Sequence, residues 1–410
     1  MPGELDRMPP AAVQPERPRI WLWLYLLAVV LIIAFAGVIL FSEAALHETS
    51  LEAWGTALGI SSLGWGVACC VRLLYYLSQQ RSADGWDAAR ALDFDSKLRQ
   101  GRRSLQVCAT SVYTALRLEQ MKESEQADAI LKGASALKAQ SCRMTGATVR
   151  HSRLPGDLNE DTERALLNVL TQVLGDLAPM FAELPDDVQV ALAVEVATPL
   201  RKDRLADVWK MAWVESGIRQ PLQLFACTGL DAVDQWLDRR NDDTAVLLVM
   251  AVVLAPQAPL GTAESAVGLL LSNPSAYPSM ASVATLHRPE QSRDDTPEAL
   301  LRAVHQCLDW VPIEVAAVEH LWRAGVEQKH QRAVTSVLGR VELLALKDKQ
   351  VHNLDALLGY PGTAAPWLAI ALAAQAAQRS AGAQLILSGG HGAETPLWGT
   401  VVTPVQPLVR

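Results

Sequence analysis

Residues Ile20 to Phe41, IWLWLYLLAVVLIIAFAGVILF, form an unbroken apolar run of 22 residues with no charge in it. About 20 such residues cross a ~30 Å hydrocarbon core as a helix. The run is therefore expected to anchor the chain in a membrane. A cleaved secretory signal is the competing explanation, but signal cores span only ~7–15 apolar residues and close on a small-x-small site. Here the run is longer, and Ser42, Glu43 and Ala44 to Leu46 follow it without a convincing boundary.

Orientation follows from the Lys and Arg on the flanks, because short basic flanks stay in the cytoplasm. Arg7, Arg17 and Arg19 precede the run, whereas Ser42 to Glu52 carries Glu43, Glu48 and Glu52 and no Lys or Arg. Residues 1–19 are thus expected to be a cytoplasmic tail, with the first crossing running outward. A second segment, at about 54–76, reads WGTALGISSLGWGVACCVRLLYYL. Arg72 near its end can snorkel to the headgroups, and Tyr75 and Tyr76 suit the interface. Arg81, Arg90, Lys97, Arg99, Arg102 and Arg103 come next, so residues 20–77 are read as a transmembrane hairpin and 78–104 as a basic juxtamembrane linker. That topology places the main domain in the cytoplasm; the membrane itself is expected to be a bacterial inner membrane. If Ser61, Ser62 and the glycines keep the second segment out of the bilayer, the main domain is periplasmic. The Gly55 and Gly59 pair has the spacing that lets membrane helices approach closely.

The remaining residues, roughly 330, are enough to bury one large core or two joined ones. The formal charge of -8, with no basic cluster beyond the juxtamembrane stretch, gives no electrostatic footprint for nucleic acid. Cys69, Cys70, Cys108, Cys142, Cys227 and Cys307 contain no CxxC pair and no adjoining His pair, so neither a zinc site nor a disulfide framework is expected. No cofactor motif is present either. Gly389-Gly390-His391-Gly392 lacks the GxGxxG and GxxxxGK spacings and reads as a turn. Asp186-Asp187 and Asp294-Asp295 read as caps or solvated turns.

After Leu105 the pattern alternates. LQVCATSVY (105–113) and VQVALAVEV (188–196) read as strands, with helical periodicity over Leu116 to Gln140 and Glu160 to Phe181 and a further strand at Thr145 to Arg150. This order favours an α/β domain with a largely parallel sheet. Two later stretches share one plan of turn, helix, strand, Gly loop and strand. The first runs from Cys227-Thr228-Gly229 through a helix at 230–239 and a strand at 245–254 to Gly261-Thr262-Ala263-Glu264 and a strand at 266–271. The second runs from Gly359-Tyr360-Pro361-Gly362-Thr363 through a helix at 364–378 and a strand at 383–387 to the loop at 389–392 and a strand at 398–402.

That duplication resembles the thiolase-like fold of β-ketoacyl synthases. Ala226-Cys227-Thr228-Gly229-Leu230 looks like the family's nucleophile elbow, and Gly261 to Ala266 resembles its acidic-Gly-Ala turn. Leu357 to Leu372 is similar to its Gly-His segment and following helix, and Ser388 to Thr403 to its terminal Gly loop and strand. The resemblance implies two α/β halves, at 105–290 and 291–410. It also implies a reactive cysteine at Cys227, whose thiolate a helix N-terminus would favour, assisted by two histidines. The histidines do not fit. Tyr360 stands where the family has histidine, and His320 and His330 read as solvated helical surface. Only His352 and His391 are left as candidate partners for Cys227.

A frame kept without its imidazoles implies binding rather than catalysis. Membrane-tethered proteins of this kind resemble the adaptors that accompany type VI secretion lipase effectors. The expected function is therefore that of a non-catalytic, membrane-anchored scaffold whose partner is a secreted lipase effector or a spike protein. The alternative is a membrane-associated acyltransferase or condensing enzyme using Cys227. A purely structural membrane component would form homo-oligomers. Trp209, Trp213, Trp236, Trp310, Trp322, Trp367 and Trp398 are expected to pack cores for the most part, with some serving as interface anchors.

Overall fold

The computed structural model describes residues 9–42, 51–118, 121–311, 313, 315–340, 350–380, 382–389 and 397–405. It separates into two compact units, divided between Leu98 and Arg99.

In the N-terminal unit, α1 (Ile20–Ser42) and α2 (Leu51–Gly101) are both long and apolar enough to cross a membrane. They run side by side. The rings of Phe35 and Trp54 lie 5.0 Å apart near one end, and Trp65 Nε1 donates to the carbonyl of Trp23 at 2.9 Å further along. The chain ahead of α1 lies against α2. Ala12 N donates to Asp87 Oδ1 at 2.8 Å, and Arg90 Nε donates to the carbonyl of Pro9 at 2.8 Å. Trp21, Ile32, Ile33 and Leu40 on α1, like Ile60, Leu63, Val71 and Leu74 on α2, are exposed. Nothing among the described residues covers them. The expected linker at 78–104 is instead helix as far as Gly101, because the stretch has no proline and is rich in Ala, Leu and Arg, which are strong helix formers.

The second unit holds one continuous sheet built as two copies of one topology. The first half contains β1 (Ser104–Tyr113), α3 (Glu123–Leu131), a hairpin of β2 (Lys138–Ser141) and β3 (Thr148–His151), α4 (Thr162–Phe181) and β4 (Val190–Ala197). It continues through α5 (Lys202–Glu215), β5 (Leu222–Leu224), α6 (Asp231–Arg239), β6 (Val246–Val253) and β7 (Ser265–Ser272). The second half contains β8 (Ala284–His287), β9 (Glu290–Gln291), α7 (Pro297–Trp310), β10 (Val318–Ala324), α8 (Gln331–Arg340) and β11 (Val351–Asn353). It closes with α9 (Leu354–Leu358), α10 (Ala365–Ser380), β12 (Ala383–Ser388) and β13 (Trp398–Thr403).

Spatial order in the first half is β5-β4-β6-β7-β1 and in the second β11-β10-β12-β13-β8. With the β2/β3 hairpin and β9 set aside, both read third, second, fourth, fifth, first in chain order. In both, the fifth strand is antiparallel to its two neighbours and the others are parallel. The sheet is therefore mixed rather than largely parallel. The halves join where β1 pairs antiparallel with β8. Since β8 is the first strand of the second copy, the junction precedes Ala284, earlier than the expected boundary at residue 290. The expected helix over 116–140 contracts to α3, and α5 stands where no helix was anticipated.

Side-chain alternation then sets the layers. In β6, Leu247, Val249 and Ala251 face a central core shared with Trp236 of α6 and the alanines of α10. Val246, Leu248, Met250 and Val252 face the opposite side, against Leu166, Leu170, Val173 and Leu177 of α4. In the second half Trp322 and Ile386 face the central core, while Leu321, Leu385 and Leu387 pack under α7 and α8. The order is helix, sheet, helix, sheet, helix. Trp236, Trp310, Trp322 and Trp367 are among the largest fully buried side chains.

Candidate functional site

Two turns lead into the central helices, and both are fixed by backbone chemistry. After β5 the chain folds so that Cys227 N donates to the carbonyl of Phe225 at 2.8 Å. Gly229 then adopts φ +57°, a left-handed conformation that a helix interior cannot accept. As a result α6 starts only at Asp231, four residues beyond Cys227. Gly229 N donates to Glu195 Oε1 at 2.5 Å, and Trp367 Nε1 of α10 donates to the same oxygen at 3.1 Å. Glu195 lies on the central face of β4 and is buried. It ties the turn of the first half to the helix of the second.

The other turn is Gly359-Tyr360. Tyr360 N donates to the carbonyl of Gly261 at 2.8 Å, and Ala263 N donates to that of Tyr360 at 2.9 Å. Gly359 has φ +98°, and a Cβ there would meet Thr262 O at 2.5 Å. Glu264, the acidic residue of that turn, accepts from Arg143 Nε at 3.1 Å, Leu154 N at 3.0 Å and Ala255 N at 3.1 Å. All of these are internal contacts, so its role is to shape the fold.

A cavity of about 290 Å³ opens where α6 and α10 begin. Thr228, Gly229 and Asp231 line it from one side, and Gly362, Thr363 and Gly389 from the other. Burial raises the Asp231 carboxyl above its usual range. Gly389 sits so close to β10 that a Cβ would meet Gly325 O at 1.8 Å. Beside it, Asp355 accepts from Gly325 N at 2.7 Å and Val326 N at 2.9 Å. Burial outweighs those two bonds and the nearby Arg323, so the Asp355 carboxyl rises to about 6.

Cys227 does not line this cavity. Its Sγ donates to Gln235 Oε1 at 3.1 Å, and burial raises its pKa, offsetting the pull of Arg239. A helix starting four residues later gives it no first-turn position, so the helix terminus that the resemblance implied for it does not reach it. His352 is buried on β11, where its Nε2 lies 2.9 Å from His320 Nδ1 and its ring 4.4 Å from that of Trp322. Burial and the second imidazole lower it to about 4. His320 is therefore a strand residue paired to another histidine rather than solvated helical surface. His330 is likewise buried, its Nε2 2.9 Å from Asp295 Oδ1. His391 lies outside the described residues. Among the described residues no group of three His, Cys, Asp or Glu side chains is arranged to hold a metal.

Sequence reasoning missed Glu195, Asp231 and Asp355. Glu195 had a readable signal, since it is the one acid inside the apolar strand VALAVEVA. The other two had none, because their importance comes from backbone groups brought close by the fold.

No protein-family model matches the chain, and no curated protein matches it in sequence. Solved structures do match in shape. The ishigamide ketosynthase/chain length factor superposes with a TM-score of 0.52 over 74% of this chain and 100% of that one, at 14% identity. An oxazolomycin ketosynthase domain from Streptomyces albus gives 0.53 over 75% and 76%, at 11% identity. The PfaC keto synthase-chain length factor gives 0.51 over 75% and 43%, at 10% identity. The chain thus has a thiolase/ketosynthase-like fold, a mixed α/β architecture of two repeated halves preceded by apolar helices. At these identities the likeness concerns the fold alone.

Proposed function

We propose that the protein is a non-catalytic, membrane-anchored scaffold whose ketosynthase-like domain binds a protein partner. The observation that carries this reading is the separate engagement of the would-be catalytic groups. The Cys227 thiol bonds Gln235 and has a raised pKa, while His352 bonds His320. Acyl transfer through cysteine requires a thiolate with a base in reach. The described lining of the cavity between α6 and α10 includes neither cysteine nor histidine.

Anchoring is supported by the exposed apolar faces of α1 and α2, which a bilayer would cover. The basic residues at 7, 17 and 19 and from 81 to 103 favour a topology with the ketosynthase-like domain in the cytoplasm. The finer reading makes the partner a lipase effector or spike protein of a type VI secretion system. It rests on the sequence resemblance to effector adaptors.

The test is capture of the partner from detergent-solubilised membranes by the wild-type chain and by Cys227→Ala. Equal recovery of one stoichiometric protein by both supports the scaffold. Loss of function confined to Cys227→Ala, with product formation from an acyl thioester by the wild type, replaces it with the acyltransferase reading. Identification of that protein as neither a lipase nor a spike component removes the secretion assignment alone.

A further inference from the structure

The two halves meet at β1, β8 and β13, and the outer face of that seam differs from the rest of the sheet. Across the antiparallel pairs Gln106 is opposite Thr285, Ser104 is opposite His287, and Thr403 is opposite Thr285, so these five side chains share one face. The alternate residues Leu105, Leu286 and Val402 are buried in the central core. Elsewhere the outer faces are mainly apolar and covered by α4 and α5 in the first half and by α7 and α8 in the second. At the seam lies a cavity of about 700 Å³ with this polar floor. Its walls include Met280 from the β7–β8 connection, Trp310 at the end of α7, and Val405 beyond β13.

Two atoms of the floor stand out. His287 Nε2 lies 2.9 Å from Thr403 Oγ1, yet its Nδ1 is buried without a hydrogen-bond partner, as is Oε1 of Gln106. Buried polar atoms are nearly always paired, so two orphans in one cavity mark where a ligand's polar group would sit. Burial lowers the His287 imidazole to about 4. The floor is therefore uncharged at neutral pH and suits a hydroxyl or amide. Arg102, exposed at the rim just after α2, supplies the only formal charge among the described lining residues.

We propose that this seam is a binding site for a small amphipathic organic anion. The ligand has an apolar ring body under Met280 and Trp310, a neutral hydrogen-bonding group on Gln106 and His287, and a carboxylate toward Arg102. The volume falls in the ~300–1,000 Å³ range of small-molecule sites. The inference is independent of which protein partner the domain binds.

The test uses the full chain in detergent with 6-hydroxy-2-naphthoate as the fluorescent probe, measured by anisotropy against protein-free micelles. Saturable binding is expected, weakened at least tenfold by Gln106→Leu or His287→Leu and about threefold by Arg102→Ala. The probe without its hydroxyl, 2-naphthoate, should bind about tenfold more weakly than the hydroxylated one. Should the floor variants unfold, Ala281→Trp, placed on the exposed connection that borders the cavity, is expected to fold and to abolish binding. Signal equal to that of empty micelles overturns the proposal. So does unchanged affinity in the folded variants, which would mean that the orphaned atoms contact no ligand.

Discussion

The helix ahead of the fourth strand is built differently in the two halves of the domain. α6 spans 9 residues and carries Asp231, Asp234, Asp238 and Arg239. Arg288, which has no exposed surface, joins Asp234 and Asp238 from β8's end. α10 spans 16 residues, has a single charged residue in Arg379, and is buried from Ala365 to Ala377. Topology was duplicated and content was not. The first half supplies the polar turn at Cys227 to Asp231, while the second supplies an alanine-rich wedge between the two halves of the sheet. The bond from Trp367 to Glu195 is where the wedge meets the turn. An acyl-transfer site built on Cys227 would need a base within reach of its thiol. The described imidazole pair of the second half lies instead at the sheet edge, on β10 and β11.

The largest expected effect comes from cutting the tie between the halves. Glu195→Ala strands the Gly229 N–H and the Trp367 indole, two donors at least partly buried, whose lost bonds cost about 2 kcal/mol each. Denaturant unfolding should register a loss of about 4 kcal/mol, and a loss under 1 would mean the halves are not joined there. Gly359→Ala follows at about 3 kcal/mol, because φ +98° and the nearby Thr262 oxygen exclude a Cβ.

Glu290 gives a pH-dependent contrast. Its carboxylate accepts from Trp310 Nε1 at 2.6 Å, and burial raises its pKa to about 7. Its stabilising contribution is complete below about pH 4.5 and lost as pH rises through 7. Glu290→Gln should thus match the wild type near pH 4.5 and exceed it by up to about 2 kcal/mol at pH 8. An advantage at low pH instead would reverse the assignment. The smallest effect belongs to the second half's edge. His352→Phe should cost about 1 kcal/mol at pH 7. With its pKa lowered to about 4, His352 makes the fold lose stability as pH falls from 6.5 to 4, and the substitution should flatten that slope.

Much of the fold is legible in the sequence because it is written in local pattern. The repeated plan of turn, helix, strand, loop and strand corresponds to α6-β6-β7 and α10-β12-β13, whose strands carry continuous apolar runs. Strand direction is not legible, since VLLVMAVV and SAVGLLLS are buried on both faces whether parallel or antiparallel. The late start of α6 depended on the left-handed turn at Gly229, which shares its composition with many helix starts. His320 and His352 are separated by 32 residues, and His330 and Asp295 by 35. No periodicity reveals such pairs, and each became visible only when strand pairing or a loop brought the rings to their partners.

The central claim is that the cysteine of this ketosynthase-like frame is not an activated nucleophile. Its most direct test is the pH dependence of iodoacetamide alkylation at Cys227, followed by mass spectrometry of the peptide that contains it. Because burial raises the Cys227 thiol, the account predicts slower labelling at pH 7 than free cysteine shows, with an inflection higher than that of free cysteine. Rapid labelling at neutral pH with an inflection below pH 8 would contradict it.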